Sequence, residues 1–156
     1  VLSNLMPTAI SREKIDLSSE NNTKDLANQI INKIKVGDVV FFYGEMGVGK
    51  TTFIRYLINQ FQKNQNLKLT EVTSPTFNLL NEYQVNDLVI KHYDLFRLKD
   101  KLEIKNLDIF ENSKNSITLI EWPQLIDKEK SIKSINLHFN YEDELNNRSI
   151  TINGLS

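Results

Sequence analysis

The stretch Gly44-Glu45-Met46-Gly47-Val48-Gly49-Lys50-Thr51 constrains this chain more than any other. It has the form G-x-x-x-x-G-K-[ST], a pattern that cradles phosphate when a strand leads into it and a helix leads out. Both flanks are present. Asp38-Val39-Val40-Phe41-Phe42-Tyr43 is short, β-branched and aromatic, and reads as a buried strand. Thr52 to Phe61 reads as a helix, with Phe53, Tyr56, Leu57 and Phe61 on one stripe. Gly44, Gly47 and Gly49 then let the backbone turn and approach an anion closely. Successive N–H groups, including those of Glu45, Met46 and Val48, point inward at the positive end of the helix dipole. Lys50 is expected to reach the β- and γ-phosphates, and Thr51 to place its hydroxyl on Mg²⁺. Thr52 adds a hydroxyl near the α-phosphate.

The rest of the chain fits a small α/β domain. Its 156 residues suit one domain, 1–156, with residues 1–12 as a loose end. Lys14 to Leu17 reads as a short strand, and Glu20 to Lys35 as a helix begun by the hydroxyls of Ser18 and Ser19. Asn78 to Val85 and Leu88 to Leu95 read as strands joined by a tight Asn86-Asp87 turn, so part of the sheet is expected to be antiparallel. Leu102 to Phe110 can form a short helix, with Leu102 and Ile109 buried. Ser116 to Ile120 reads as a central strand that ends in Glu121-Trp122-Pro123, and two further strands follow, near Ile132 to Phe139 and Ser149 to Ile152. The expected fold is therefore that of P-loop nucleoside triphosphatases, a mixed central sheet flanked by helices.

Charge and composition narrow the function classes. A formal net charge of −1 offers no basic surplus for gripping nucleic acid unaided. The absence of cysteine excludes disulfides and thiolate metal sites. No apolar run approaches the roughly 18 residues of a membrane span. Val1 to Pro7 lack the basic start and apolar core of a secretory signal, so the cytoplasm is the expected address and no membrane partner is expected. The guanine-specifying N-K-x-D string is absent; Asn32-Lys33-Ile34-Lys35 lacks the aspartate, which disfavours a GTPase.

Ligands of open α/β sheets bind at the carboxyl ends of the strands. Glu121, at the end of an apolar run, is where such folds hold the acid that positions Mg²⁺; a surface carboxylate is the bland alternative. Asp94 follows another strand and reads either as an acid that orients the attacking water or as the start of a turn. Thr76, in a loop bounded by Pro75, is either a γ-phosphate sensor or a plain turn residue. His92 reads as structural or as a hydrogen-bonding member of the site. Trp122, the only tryptophan, reads as a gate or as partial core. Arg97 reads as a cis arginine finger or as a surface charge.

Four blocks together resemble the TsaE (YjeE) family: the phosphate loop through Thr52, Ser74-Pro75-Thr76-Phe77, His92-Tyr93-Asp94-Leu95-Phe96-Arg97-Leu98, and Glu121-Trp122-Pro123. Two departures are Phe96, where the family often has tyrosine, and Asn106, where a glycine is common; asparagine tolerates the left-handed turn expected there. The resemblance implies an ATPase, weak alone, that uses ATP and Mg²⁺. It also implies association with a TsaB–TsaD pair, which places threonylcarbamoyl on adenosine 37 of tRNAs reading ANN codons. The tRNA would be met only through that complex. In this implied picture Lys50 holds phosphates, Thr51 and Glu121 hold Mg²⁺, Asp94 is an essential acid near the γ-phosphate, and Thr76 lies in a switch-like loop. Ser19, Glu20 and Arg148 would add nucleotide contacts. The rival reading is a small kinase that passes the γ-phosphate to a small molecule. Such enzymes close an arginine-bearing lid, whereas Arg12, Arg55, Arg97 and Arg148 lie far apart in sequence.

Overall fold

The computed structural model describes residues 13–75, 77–111, 113–126, 133–144 and 146–155. The expected loose end at 1–12 and the loop residue Thr76 lie outside these residues. In chain order the elements are β1 (Ile15–Asp16), α1 (Glu20–Ile30), β2 (Val39–Tyr43), α2 (Lys50–Asn64), β3 (Leu80–Val85), β4 (Leu88–Asp94), α3 (Lys101–Lys105), β5 (Ser116–Glu121), β6 (Ser134–Tyr141) and β7 (Arg148–Asn153). A seven-stranded sheet runs in the order β1-β7-β6-β2-β5-β4-β3. β2 lies parallel to both neighbours, β6 and β5, and β4 runs parallel to β5. The outer pairs β3–β4, β6–β7 and β1–β7 are antiparallel. This is the mixed α/β architecture the sequence predicts.

Side chains alternate across a strand, so every second residue shares a face. Val40 and Phe42, Ile117 and Leu119, Ile90, Ile135 and Leu137, and Ile150 and Ile152 form one core with α1 and α2. Val39 and Phe41, Ile120 and Tyr93 face the other way and meet Leu95, Ile104, Ile109 and Ile126. With both faces covered, β2 and β5 are buried almost throughout, which explains their continuous apolar runs. The same alternation sends His92, Asp94 and Glu121 to the face of α1 and α2, the side on which the glycine loop turns.

Local chemistry sets the boundaries. Ser19 caps α1 by accepting the Asn22 N–H at 3.1 Å, while a 3₁₀ turn over Ile31–Lys33 replaces the last α-helical turn expected there. The β3–β4 hairpin turns at Asn86 (φ 54°), which takes the left-handed role that glycine usually fills. α2 begins at Gly49 with φ 115° and no side-chain cap, so its first N–H groups are not consumed by a neighbouring side chain.

Three expectations need correction. α2 buries Phe53, Ile54, Leu57 and Ile58, whereas Tyr56 and Phe61 only edge the core; the contact stripe lies one position over from the expected one. Leu102 is 61% exposed, and Ile104 and Ile109 are the buried pair. α3 is only five residues long, too short to carry one stripe from Leu102 to Ile109, and Asp108 (φ 49°) turns the chain between them. Asn106 is right-handed (φ −68°, ψ −14°), so the left-handed residue of that turn is Asp108 rather than Asn106. The corrected burial predicts that Leu57→Ala costs about 2–5 kcal/mol of stability. Leu102→Ala should change it by less than about 0.5 kcal/mol. Urea unfolding of the two variants checks both values.

Candidate functional site

The loop that joins β2 to α2 is built around close backbone approach. A Cβ on Gly44 (φ +148°) would come within 2.9 Å of both the Phe139 carbonyl oxygen and Val48 Cγ1. No other residue fits there without a shift. Behind this turn a cleft of about 410 Å³ opens, lined by Met46, Gly47, Gly49, Lys50, Thr51, Thr52, Ser74, Asp94, Phe96, Glu121, Trp122 and Arg148. Its size is in the range of small-molecule sites. A narrower cleft of about 200 Å³ adjoins it across the same loop, lined by Leu17, Ser18, Glu20, Thr23, Val48, Gly49, Thr52, Phe139 and Arg148.

The acids meet the loop because of sheet register. β4 and β5 pair in parallel with Asp94 opposite Glu121, and β5 pairs with β2 so that Glu121 lies beside Phe42, two residues before the loop. Glu121 is only 2% exposed, which removes the surface-carboxylate alternative. The Thr51 hydroxyl lies 3.1 Å from each carboxylate oxygen of Glu121, and Ser74 Oγ lies 3.0 Å from Thr51 Oγ1. His92, fully buried, adds a 2.7 Å bond from Nε2 to Glu121 Oε2. Asp94 begins a turn, accepting the Phe96 N–H at 3.0 Å, and also lines the cleft.

Lys50 is 4% exposed. Its ammonium donates to the Gly44 carbonyl and sits 3.7 Å above the centre of the Trp122 ring. Trp122 reaches this place through a left-handed backbone (φ 59°, ψ 58°), uncommon for a bulky residue, and Phe96 leans on its ring at 4.8 Å. Burial pushes the Lys50 ammonium below its ordinary pKa, against the pull of the Glu121 and Asp94 charges. Burial raises the Asp94 carboxyl, and the Glu121 charge raises it further. The Phe96 N–H, His92 and Lys50 oppose that rise.

The donors around Thr51 are all hard oxygens: Thr51 Oγ1, the two Glu121 oxygens and Ser74 Oγ. Mg²⁺ binds through one or two such groups plus water and phosphate oxygens rather than in an all-protein cage. No group of three or more His, Cys, Asp or Glu side chains suited to a metal occurs among the described residues. The set therefore fits a magnesium ion that arrives with a polyphosphate.

The narrower cleft receives two of the three further residues expected near a nucleotide. Glu20 lines it and holds the Tyr56 hydroxyl; Arg148 Nη1 donates to the Val48 carbonyl at 3.3 Å. Ser19 does not line it, because its hydroxyl is spent on the α1 cap; Ser18 stands there instead. Glu45 lines neither cleft, and its carbonyl accepts the Val48 N–H. Arg97 packs over the Phe77 ring at 5.6 Å and lines neither cleft. Ser74 Oγ meets Thr51 Oγ1, a contact that the sequence reading does not name. Its signal was Pro75, which holds the preceding residue extended.

The model of the family "Threonylcarbamoyl adenosine biosynthesis protein TsaE" matches residues 17–150. The chain belongs to the TsaE family. It is 41% identical over 110 residues to the tRNA threonylcarbamoyladenosine biosynthesis protein TsaE of Rickettsia conorii, covering 70% of this chain and 61% of that protein. The Bacillus subtilis TsaE is 33% identical over 108 residues, covering 69% and 64% of the two chains. The Nostoc TsaE is 32% identical over 136 residues, covering 84% and 80%. The chain thus spans about three fifths of the length of the Rickettsia conorii relative. The crystal structure of YdiB from Bacillus subtilis superposes with a TM-score of 0.67 at 22% identity, covering 96% of this chain and 90% of that one; it supports the fold. The curated relatives named here are tRNA threonylcarbamoyladenosine biosynthesis proteins. No helix among its described residues is long and apolar enough to cross a membrane.

The Asp94 shift predicts a pH effect on stability. The folded chain holds a proton on this carboxyl more readily than the unfolded chain does. Stability is therefore lost as pH rises from the ordinary carboxylate value of about 4 through the raised one, and the loss is complete above it. Asp94→Asn removes that loss. Its melting temperature should exceed that of the unaltered chain at pH 7, and the gain should vanish as pH falls toward about 4, as thermal melts across pH would show.

Proposed function

We propose that this chain is a Mg²⁺-dependent ATPase that supports threonylcarbamoyladenosine formation at position 37 of ANN-decoding tRNAs, working with a TsaB–TsaD pair. The observation that carries the reading is the convergence of Lys50, Thr51, Asp94 and Glu121 on one cleft over the glycine loop. In this reading the N–H groups of the glycine loop and the first turn of α2 receive the phosphates, except that of Val48, which contrary to expectation donates to the Glu45 carbonyl, and Lys50 supplies the positive charge. The ammonium leaves the Gly44 carbonyl and the Trp122 ring for the β- and γ-phosphate oxygens. Thr51 and Glu121 hold the metal, which when bound neutralises charge on the phosphate oxygens. Asp94 faces the cleft from the strand beyond Glu121 and orients the attacking water by accepting a hydrogen bond from it. A carboxyl whose proton affinity is raised by burial suits that acceptor role.

The narrower cleft is assigned to the nucleoside, with Glu20 and Arg148 on its walls. Arg148 is the one arginine lining either cleft among the described residues. With a single arginine there and Arg97 held against Phe77, the arginine-bearing lid of a small kinase has no support. The net charge of −1 favours tRNA being presented by the partner proteins, and a cytoplasmic address follows from that role.

Lys50→Ala should abolish ATP binding and turnover, at least a hundredfold below the unaltered chain by the scale of lost charged contacts (about 2.7 kcal/mol or more). Calorimetric titration with ATP and a phosphate-release assay measure it, and unchanged values would overturn the reading. ATP with Mg²⁺ should also increase co-elution of this chain with a TsaB–TsaD pair; co-elution indifferent to nucleotide would remove nucleotide-dependent association from the proposal.

A further inference from the structure

His92 is completely buried on β4, and its ring makes one hydrogen bond, from Nε2 to Glu121 Oε2 at 2.7 Å. Its other nitrogen, Nδ1, is buried and has no hydrogen-bond partner. A histidine kept only for packing is an expensive choice in such a place. An apolar side chain would fill the same space without stranding a polar atom. The one contact that repays the histidine is the bond to the carboxylate. Because an ionised carboxylate only accepts, the ring donates to it through Nε2, while Nδ1 has no partner.

The bond has a geometric effect. Glu121 carries three side-chain torsions, and a carboxylate at the end of a strand is free to rotate unless something holds it. Thr51 straddles both of its oxygens at 3.1 Å each. His92, from the neighbouring strand, takes Oε2 alone. The ring thus breaks the equivalence of the two oxygens and fixes which way the carboxylate faces. Partners of this kind behind a metal-binding side chain set its orientation and its affinity.

We propose that His92 is a positioning residue of this site, holding the Glu121 carboxylate in the rotation that lets it and Thr51 receive Mg²⁺ together with a nucleoside triphosphate. The proposal rests on the reading of the cleft as a Mg²⁺–ATP site. The test is calorimetric binding of a non-hydrolysable ATP analogue, in excess Mg²⁺ and again in EDTA. It compares the unaltered chain with His92→Leu, His92→Gln and His92→Asn. Glutamine can bring an amide N–H to the position of Nε2, whereas asparagine ends near Nδ1. His92→Leu should lose about 10- to 100-fold in affinity with Mg²⁺. Its affinity in EDTA should stay within about twofold of the unaltered chain. His92→Gln should recover most of the loss and His92→Asn should not. Equal losses with and without Mg²⁺, no loss at all, or rescue by asparagine as good as by glutamine would overturn the positioning role. If His92→Leu shows no cooperative melt, the contrast between glutamine and asparagine decides. An unaltered chain that binds no nucleotide would overturn the reading of the cleft itself. Mg²⁺-dependent binding that ignores residue 92 would overturn only the role given to His92.

Discussion

A carboxylate held almost wholly out of water is the constraint around which this molecule is arranged. Glu121 closes β5, and its charge needs partners that water no longer provides. Thr51 comes from the first turn of α2, and His92 from β4. Three elements must therefore keep their relative heights for one charge to be satisfied. That requirement links the sheet to the helix that follows the glycine loop, and it fixes the loop between them. Ser74, bonded to Thr51, extends the same network to the segment that leads into β3.

The sheet delivers these groups by simple parity. In β4 the residues Ile90, His92 and Asp94 share a face, as do Ile117, Leu119 and Glu121 in β5. The lower members are apolar and build the core beneath α1 and α2. The upper members are polar: Asp94 and Glu121 line the cleft, and His92 lies buried against Glu121. A shift of either strand by one residue would send its acid to the opposite face, beside Tyr93 and Ile120. Packing below and polar chemistry above are thus set by the same register.

Much of this could be read from the chain. The loop's spacing and its flanks located β2 and α2, and an apolar run that ends in an acid located Glu121. What escaped depended on contacts between distant segments. His92 and Glu121 are 29 residues apart, and only the parallel register of β4 on β5 shows that they touch. The place of Trp122 over Lys50 requires a left-handed backbone that no local preference of tryptophan announces. Ser19 and Ser18 are alike in type and adjacent. Which of them caps the helix and which faces the cleft depends on where α1 begins. Leu102 looked buried by period, but α3 ends before the period can matter.

Arg148 has a consequence of another kind. It opens β7, near the rim of the sheet, yet its guanidinium reaches the Val48 carbonyl within the glycine loop. Its own N–H binds Ser18 Oγ, and its carbonyl accepts the Leu17 N–H beside the two-residue strand β1. The weakest margin of the sheet is therefore stitched to the same hook as its centre. A substitution at this one arginine therefore reaches both the glycine loop and the edge strand at once.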